Sequence, residues 1–413
     1  MRWVLRAIAV VAMPLAAQAQ GISAPAWLPA TEQASSWIEH DASVAAARHG
    51  AVAATHSAQA LTAGSHEWAL RVQAQRRQLQ DGGTPSREWQ THVERPVRVN
   101  GKATLDRQLG EVELDLARAQ LGEARHESAR ALADMWLAAL AGRQREAMAR
   151  QQVALAEANL VAVQKRRRAG DAAVLDEQQA QADVGESQRE LIMARTALAK
   201  AQAALQTRFG AEANAESQLA DVNEPDWTQA GWLNRVLEEA DAIKTRHAEW
   251  QRVRLTSARA RADRVPDPVV GVFAASEARG RERLVGFSVT VPLGSTYRDQ
   301  RSLQLAREAD MAESALEQMR REVEQQARET WADATGSRER WRLSRQTAAL
   351  AADSARLMQR AYALGEADLQ ALLMARRQSG QSSLAALEAQ VEASRWAARL
   401  LIDAHQIWDL EHD

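Results

Sequence analysis

The sequence predicts a mainly α-helical protein with a small β part, built from two copies of one helix–hairpin–helix–helix unit. Charged residues make up 26% of the chain and aromatic residues only 4%, with Ala, Gln, Glu, Arg and Leu abundant, which is typical of long helices. Trp37 and Gly170 recur as Trp232 and Gly365 at one spacing of 195 residues, which indicates a duplicated unit. Two pairs of short segments alternate apolar and polar residues and therefore predict two β-hairpins.

Residues 1–19 have the pattern of a secretory signal peptide. Arg2 and Arg6 precede the apolar stretch Ala7 to Leu15, and Ala17-Gln18-Ala19 gives a small-x-small cleavage site, so we expect the mature chain to start at Gln20. The apolar stretch is too short to span a bilayer, and no later run reaches transmembrane length. The chain contains no cysteine, which excludes disulfides and thiolate metal sites.

The first unit is predicted to occupy residues 20–209. Its elements are a helix over about 31–63, strands near 66–79 and 87–99 that form a hairpin around Asp81-Gly82-Gly83, a long helix over 103–168, a turn at Gly170, and a return helix over 172–209. At a rise of 1.5 Å per residue the long helix would extend roughly 100 Å, far beyond an ordinary helix.

The second unit is predicted to occupy residues 229–413 in the same order. Its elements are a helix over about 229–263, strands near 268–276 and 283–293 joined by Ala278-Arg279-Gly280, a long helix over 297–363, a turn at Gly365, and a return helix over 366–408. Between the units, residues 210–228 contain Gly, Asn, Asp and Pro225, which favour a crossover linker.

The strands each have one apolar and one polar face. A half-buried sheet in a soluble domain would give the same alternation, but the helical remainder of the chain offers no obvious second apolar layer. Four strands cannot close a barrel, whereas three chains would supply twelve strands, enough for a membrane barrel with lipid outside and water inside. The residues predicted to face lipid are Trp68, Leu70, Val72, Trp89, Val93, Phe287, Val289 and Val291.

Four segments, in this order and in a duplicated chain, resemble the TolC-like outer-membrane efflux proteins, and the resemblance covers nearly the whole mature chain. They are Lys165 to Ala180 around the first turn, Pro266-Asp267-Pro268 leading into a Gly-containing strand, Val285 to Leu293 with its Pro-Leu exit, and Tyr362 to Leu369 around the second turn. The resemblance implies a homotrimer with a twelve-stranded barrel in the outer membrane of a Gram-negative bacterium and a helical tunnel in the periplasm.

The resemblance also implies the partners. A periplasmic adaptor protein would meet the tip turns and link the duct to an inner-membrane efflux pump, while the duct would be no enzyme and need no cofactor. The residues expected to dock the adaptor are Arg168, Gly170, Asp171, Leu364, Gly365 and Glu366. A basic run, Lys165 to Arg168, precedes the first turn and either docks the adaptor or is a solvated helix end.

The tip departs from the family pattern. Ala371 and Met374 stand where TolC carries the two aspartates that ring the narrow end, so the usual aspartate ring is not expected. The alternative that stays open is a reduced constriction, formed by Asp176 with Asp368, or with Asp171 or Glu366 in its place.

Within the family, the stretch from Val93 through Asn100-Gly101-Lys102 to Arg107 resembles the CzcC-like divalent-metal efflux branch. Arg95 stands where that branch has Gln, and Ala103 where it has Arg. The implied cargo is a heavy-metal cation, whereas a TolC-type duct for protein secretion would share the same architecture.

No catalytic, nucleic-acid or metal site is expected. The chain has no nucleophile elbow, phosphate loop or His-Glu-x-x-His motif, and its net charge of −2 does not suit nucleic acid. His40 and His56 on the first helix lack the i, i+4 spacing of a helical metal site and, with His49 and His66, are interpreted as surface residues. The remaining alternative is a soluble periplasmic coiled-coil scaffold or adaptor.

Overall fold

The structure, a computed structural model, describes residues 24–78, 80, 82, 84–213, 219, 221 and 227–408. The predicted signal peptide, Asp81 and Gly83 of the first hairpin turn, and most of the 210–228 linker lie outside the described residues. Among the residues it does describe, no helix combines the length and apolar character needed to cross a bilayer.

The predicted mainly helical, duplicated fold with one small β part is confirmed. In chain order the first unit contains α1 (Thr31–Glu39), α2 (Ala42–Ala63), β1 (Ala69–Arg77), β2 (Ser86–Pro96), α3 (Lys102–Arg168) and α4 (Val174–Phe209). The second contains α5 (Gln229–Glu239), α6 (Asp241–Ala262), β3 (Val269–Glu277), β4 (Glu282–Thr290), α7 (Thr296–Leu364) and α8 (Leu369–Asp403), with a short 3-10 turn, Ala278–Gly280, between β3 and β4.

Each helix expected to open a unit is in fact two helices. In the first unit the break falls at Asp41, whose carboxylate accepts a hydrogen bond from the N–H of Ser43 and so caps α2. Asp41 is buried, and it also binds the Ser128 hydroxyl at 2.7 Å and Arg208 at 2.8 Å. The break therefore fastens the start of the chain to α3 and α4. In the second unit, Ala240 leaves the helical conformation between α5 and α6.

The main hydrophobic core lies midway along the long helices. Leu132, Trp136, Leu137 and Leu140 of α3 are almost completely buried there against α1, the end of α4 and the end of α8. Elsewhere α3 and α7 are kept helical by composition and by ion pairs one turn apart, such as Glu146 with Arg150 and Glu324 with Arg328. The α3 helix is thus buried most densely at this central belt.

The two hairpins pair with each other into one antiparallel sheet of order β1-β2-β3-β4. β2 and β3, which come from different units, form its centre, and β1 and β4 are its edges. The sheet follows directly from the duplication, because each unit contributes one hairpin.

Candidate functional site

One face of the sheet is an apolar surface made by residues that lie directly opposite one another. Leu70 pairs with Val93, Val93 with Val272, and Val272 with Phe287, so one apolar row crosses all four strands. Phe287 is 83% exposed and Leu70 67%, far more than a core-facing row would be.

The other residues predicted to face lipid lie in neighbouring rows or at the strand ends. Val289 pairs with Val270 of β3, and Trp68 precedes β1, where the guanidinium of Arg95 lies 5.5 Å from its ring centre. Trp68, Val72, Trp89, Val289 and Val291 are all exposed large apolar side chains, and Val93 is partly exposed. An exposed apolar surface of this kind is typical of a site that contacts a membrane or another protein.

The opposite face of the sheet is mainly polar, with one closely packed spot. Its rows contain Arg71, His92, Gln73 and Gln90, and the His92 ring stacks on Phe273 with centroids 5.2 Å apart. A Cβ on Gly286 would lie 2.6 Å from the Phe273 ring, so glycine is required there for the ring to lie flat. The sheet therefore has the two-sided character predicted from its alternation.

The junction between sheet and helices brings together the Pro266-Asp267-Pro268 segment and the stretch that resembles the divalent-metal branch. Lys102 Nζ lies 2.7 Å from Asp267 Oδ1, and Asp267 also accepts hydrogen bonds from His66 and the Val99 N–H, both at 3.0 Å. Burial alone would raise the pKa of the Asp267 carboxyl, but the bonds from Lys102, Val99 and His66 hold it below its ordinary value. This cluster, formed by His66, Val99, Lys102 and Asp267, is called the junction cluster below. His66, expected at the surface, is a member of it.

Both chain reversals have the same hydrogen-bonded form. At the first turn, the N–H of Gly170 donates to the carbonyl of Arg167, and the N–H of Asp171 donates to the carbonyl of Arg166. At the second, the N–H of Gly365 donates to the carbonyl of Tyr362, and the N–H of Glu366 donates to the carbonyl of Ala361. Gly170 has φ 88° and Gly365 φ 80°, values that side chains adopt only at a cost. All six residues proposed for docking, Arg168, Gly170, Asp171, Leu364, Gly365 and Glu366, are exposed.

The two aspartates proposed for the constriction both cap helices. Asp176 accepts from the N–H of Ala173 at 3.0 Å, and Asp368 accepts from the N–H of Ala371 at 2.7 Å. The tip has its own small core of Val163, Ala180, Tyr362, Leu369 and Leu372, with Arg166 lying 5.0 Å from the Tyr362 ring centre. Tip geometry thus depends on packing and capping together.

A line of exposed leucines along α7 was not recognised from the sequence, although its spacing was visible there. Leu343, Leu350, Leu357 and Leu364 recur every seven residues, and the first three are 65%, 64% and 59% exposed. Trp341 and Tyr362, which are buried in the protomer, lie on a different face of α7. A heptad line of this kind is the pattern by which one helix packs against another.

A second missed feature is a group of possible metal ligands, His126, Asp241 and His405, near the central belt. The three residues lie in α3, at the start of α6 and just after α8, so no local sequence pattern reveals them. Burial lowers the pKa of the His126 imidazole. The hydrogen bond to Asp403 raises this pKa and the charge of Arg130 lowers it, and the net result is a lowered value.

Comparison with known proteins finds the same arrangement in outer-membrane channels. No family model and no curated protein sequence matches the chain. The outer-membrane channel OprN has a TM-score of 0.77 at 15% identity, with 94% of this chain and 91% of that chain covered. The outer-membrane protein VceC of Vibrio cholerae has a TM-score of 0.73 at 16% identity, covering 91% and 96%. The CmeC outer-membrane channel of Campylobacter jejuni has a TM-score of 0.73 at 10% identity, covering 92% and 86%. The chain therefore has the TolC-like fold of these outer-membrane channel proteins over more than 90% of its length.

Proposed function

We propose that the chain is the subunit of a homotrimeric outer-membrane efflux duct of the TolC-like family. The observation that carries the proposal is the apolar row Leu70–Val93–Val272–Phe287 on a sheet whose edge strands are open. Three copies of a four-stranded sheet would contribute twelve strands, which pair the open edges and turn the apolar rows toward lipid. The polar rows with Arg71, Gln73 and Gln90 would line a wet lumen.

The leucine line on α7 supports the trimer independently of the sheet. Leu343, Leu350 and Leu357 would pack against a helix of the adjacent protomer, as heptad positions do in antiparallel helical assemblies. With 67 residues, α3 extends roughly 100 Å, the length of a duct that crosses much of the periplasm. The tunnel would carry cargo passively, and the energy would come from an inner-membrane pump.

The tip turns are the proposed docking surface for a periplasmic adaptor protein. Their exposure and the basic run before Gly170 support this assignment. Asp176 and Asp368 are proposed to border the narrow end while they cap α4 and α8.

The proposed cargo is a divalent metal cation. This proposal rests only on the sequence resemblance of the Val93 to Arg107 stretch to the divalent-metal efflux branch. In the structure, Lys102 of that stretch belongs to the junction cluster, so its contacts concern the fold and not the cargo. Growth of a deletion strain in graded zinc, cobalt and cadmium tests this cargo: restored tolerance on complementation supports it, and unchanged tolerance removes it.

The duct itself is tested by purifying the protein from outer membranes and inserting it into planar lipid bilayers. Conductance of reproducible size is expected for the wild type. A protein that stays in the soluble periplasmic fraction and gives no conductance would favour the coiled-coil scaffold instead.

A further inference from the structure

Three side chains that can ligate a metal converge beside the central belt, one from the first unit and two from the second. His126 lies in α3, Asp241 is the first residue of α6, and His405 follows α8. One potential ligand atom from each lies within 4.8 Å of the other two. Their burial is high, with side-chain exposures of 14% for His126, 4% for Asp241 and 9% for His405.

Their spacing suits a bound ion after a small contraction. His405 Nε2 lies 4.0 Å from Asp241 Oδ2. Ligand atoms about 2.0 Å from a tetrahedral ion are about 3.3 Å apart, so no pair needs to close by more than about 1.5 Å. The two imidazole rings already face one another, with centroids 5.1 Å apart and an angle of 36° between their planes.

The helix end at His405 has a backbone conformation that glycine usually adopts. His405 has φ 51°. Its N–H donates to the carbonyl of Ile402, and the N–H of Gln406 donates to the carbonyl of Leu401. Glycine usually occupies this position in such a helix-ending motif. The position 195 residues earlier is Gly210, which ends α4 with φ 64°. The first unit thus satisfies the same turn without a side chain, and the second unit adopts a left-handed conformation that places an imidazole beside His126.

The groups around the three residues suit a cation. Asp403 lies 3.4 Å from His126 Nε2 and is itself held by Arg130 at 2.9 Å, an arrangement like the carboxylate that commonly orients a metal-bound histidine. Two cations lie beside the group: Arg130 also pairs with Glu127, and Lys244 pairs with Glu239 at 3.2 Å, closer than its 3.8 Å to Asp241. Each of these cations therefore pairs with a carboxylate that is not a proposed ligand.

We propose that His126, Asp241 and His405 form a binding site for one divalent transition-metal ion, of the zinc class, that ties the two units together at the belt. Two imidazoles and one carboxylate are a ligand set suited to Zn²⁺, with a fourth position left for water. The site is structural and resident in the protein wall, and it does not depend on what the duct exports.

The test uses the full mature protein without a polyhistidine tag, freed of metal and then titrated with Zn²⁺ and, separately, Co²⁺. The wild type is expected to bind one Zn²⁺ per chain, to show the visible spectrum of tetrahedral Co²⁺, and to unfold at a higher temperature with zinc. His405→Gly, which restores the residue of the equivalent turn and so preserves the fold, is expected to weaken binding at least tenfold and to abolish the thermal shift.

Two further variants make the assignment specific. Asp241→Asn should weaken Zn²⁺ binding in the same way, while His49→Gln, at an exposed position on α2, should bind as the wild type does. If Asp241→Asn does not fold, the zinc affinity of His405→Gly is the deciding measurement. Absence of stoichiometric binding by the wild type, or wild-type binding by His405→Gly, would overturn the proposal.

Discussion

The ammonium group of Lys102 lies 2.7 Å from the carboxylate of Asp267, and this ion pair joins the two units where the sheet meets the helices. Lys102 is 1% exposed, and its ammonium also donates to the carbonyl of Val265 at 2.7 Å. A lysine buried to this extent requires its partners, because an unpaired charge there would be costly.

Replacing Lys102 with Met is expected to reduce stability by about 3 kcal/mol, because it leaves Asp267 ionised and without its cation. The measurement is the thermal unfolding midpoint of the purified protein. Arg107→Met is the matched control, since its pair with Glu111 is exposed at both ends and should contribute less than about 1 kcal/mol. Equal shifts for the two variants would contradict the role of the junction cluster.

Acid should weaken the protein through Asp41 and Asp267. Burial opposes ionisation of Asp41, but bonds from Ser128, Ser43 and Arg208 hold its pKa below the ordinary value, as the junction cluster does for Asp267. A lowered folded-state pKa contributes stability that is present above the unfolded value of about 3.9 and is lost as pH falls through the folded value. The thermal midpoint should therefore change little from these groups between pH 7 and 5 and fall below pH 4. Asp41→Asn should be less stable at pH 7 and less sensitive to acid, and an unchanged acid response would count against this assignment.

Gly286→Ala is expected to destabilise the sheet by about 1–3 kcal/mol, because the new Cβ would lie 2.6 Å from the Phe273 ring. The heat stability of the assembled protein in detergent measures this effect. Gly294→Ala is the control, since a Cβ there meets nothing within 4 Å. Adding Phe273→Ala to Gly286→Ala should remove the clash, so the double variant should lose less stability than the two single variants together. A loss equal to their sum would argue against the clash.

Gly365→Val is expected to weaken the second tip turn by about 1–3 kcal/mol, because a β-branched residue is strained at φ 80°. Gly365→Asn, a residue that tolerates the left-handed region, should lose much less. Export in whole cells and crosslinking to an adaptor are the readouts. Full export by Gly365→Val would contradict the proposed role of the turn.

Leu350→Glu should dissociate the trimer, because it places three carboxylates in the proposed seams between protomers. Leu350→Met keeps an apolar side chain of similar size and should preserve the trimer. Native mass measurement in mild detergent distinguishes them. A trimer of unchanged stability in Leu350→Glu would show that the leucine line packs elsewhere.

Much of this fold could be predicted from the sequence because its signals are periodic or repeated. The spacing shared by Gly170 and Gly365 located both reversals, and the alternation around Val93 and Phe287 assigned the faces of the sheet. Local pattern could not reveal the break at Asp41, since it depends on Ser128 and Arg208, which are distant in sequence. The same limit hid the convergence of His126 and His405. The Leu343–Leu364 line was missed for another reason: its seven-residue spacing is visible in the sequence, but only burial shows that these leucines are exposed.

The most direct test of the duct is the mass and shape of the mature protein extracted from outer membranes in mild detergent. The account predicts a trimer seen by single-particle imaging as a barrel with a stem of roughly 100 Å, the length expected for α3. A monomer or dimer recovered from the soluble periplasmic fraction would contradict it, because the apolar rows of the sheet would then have to be covered without lipid.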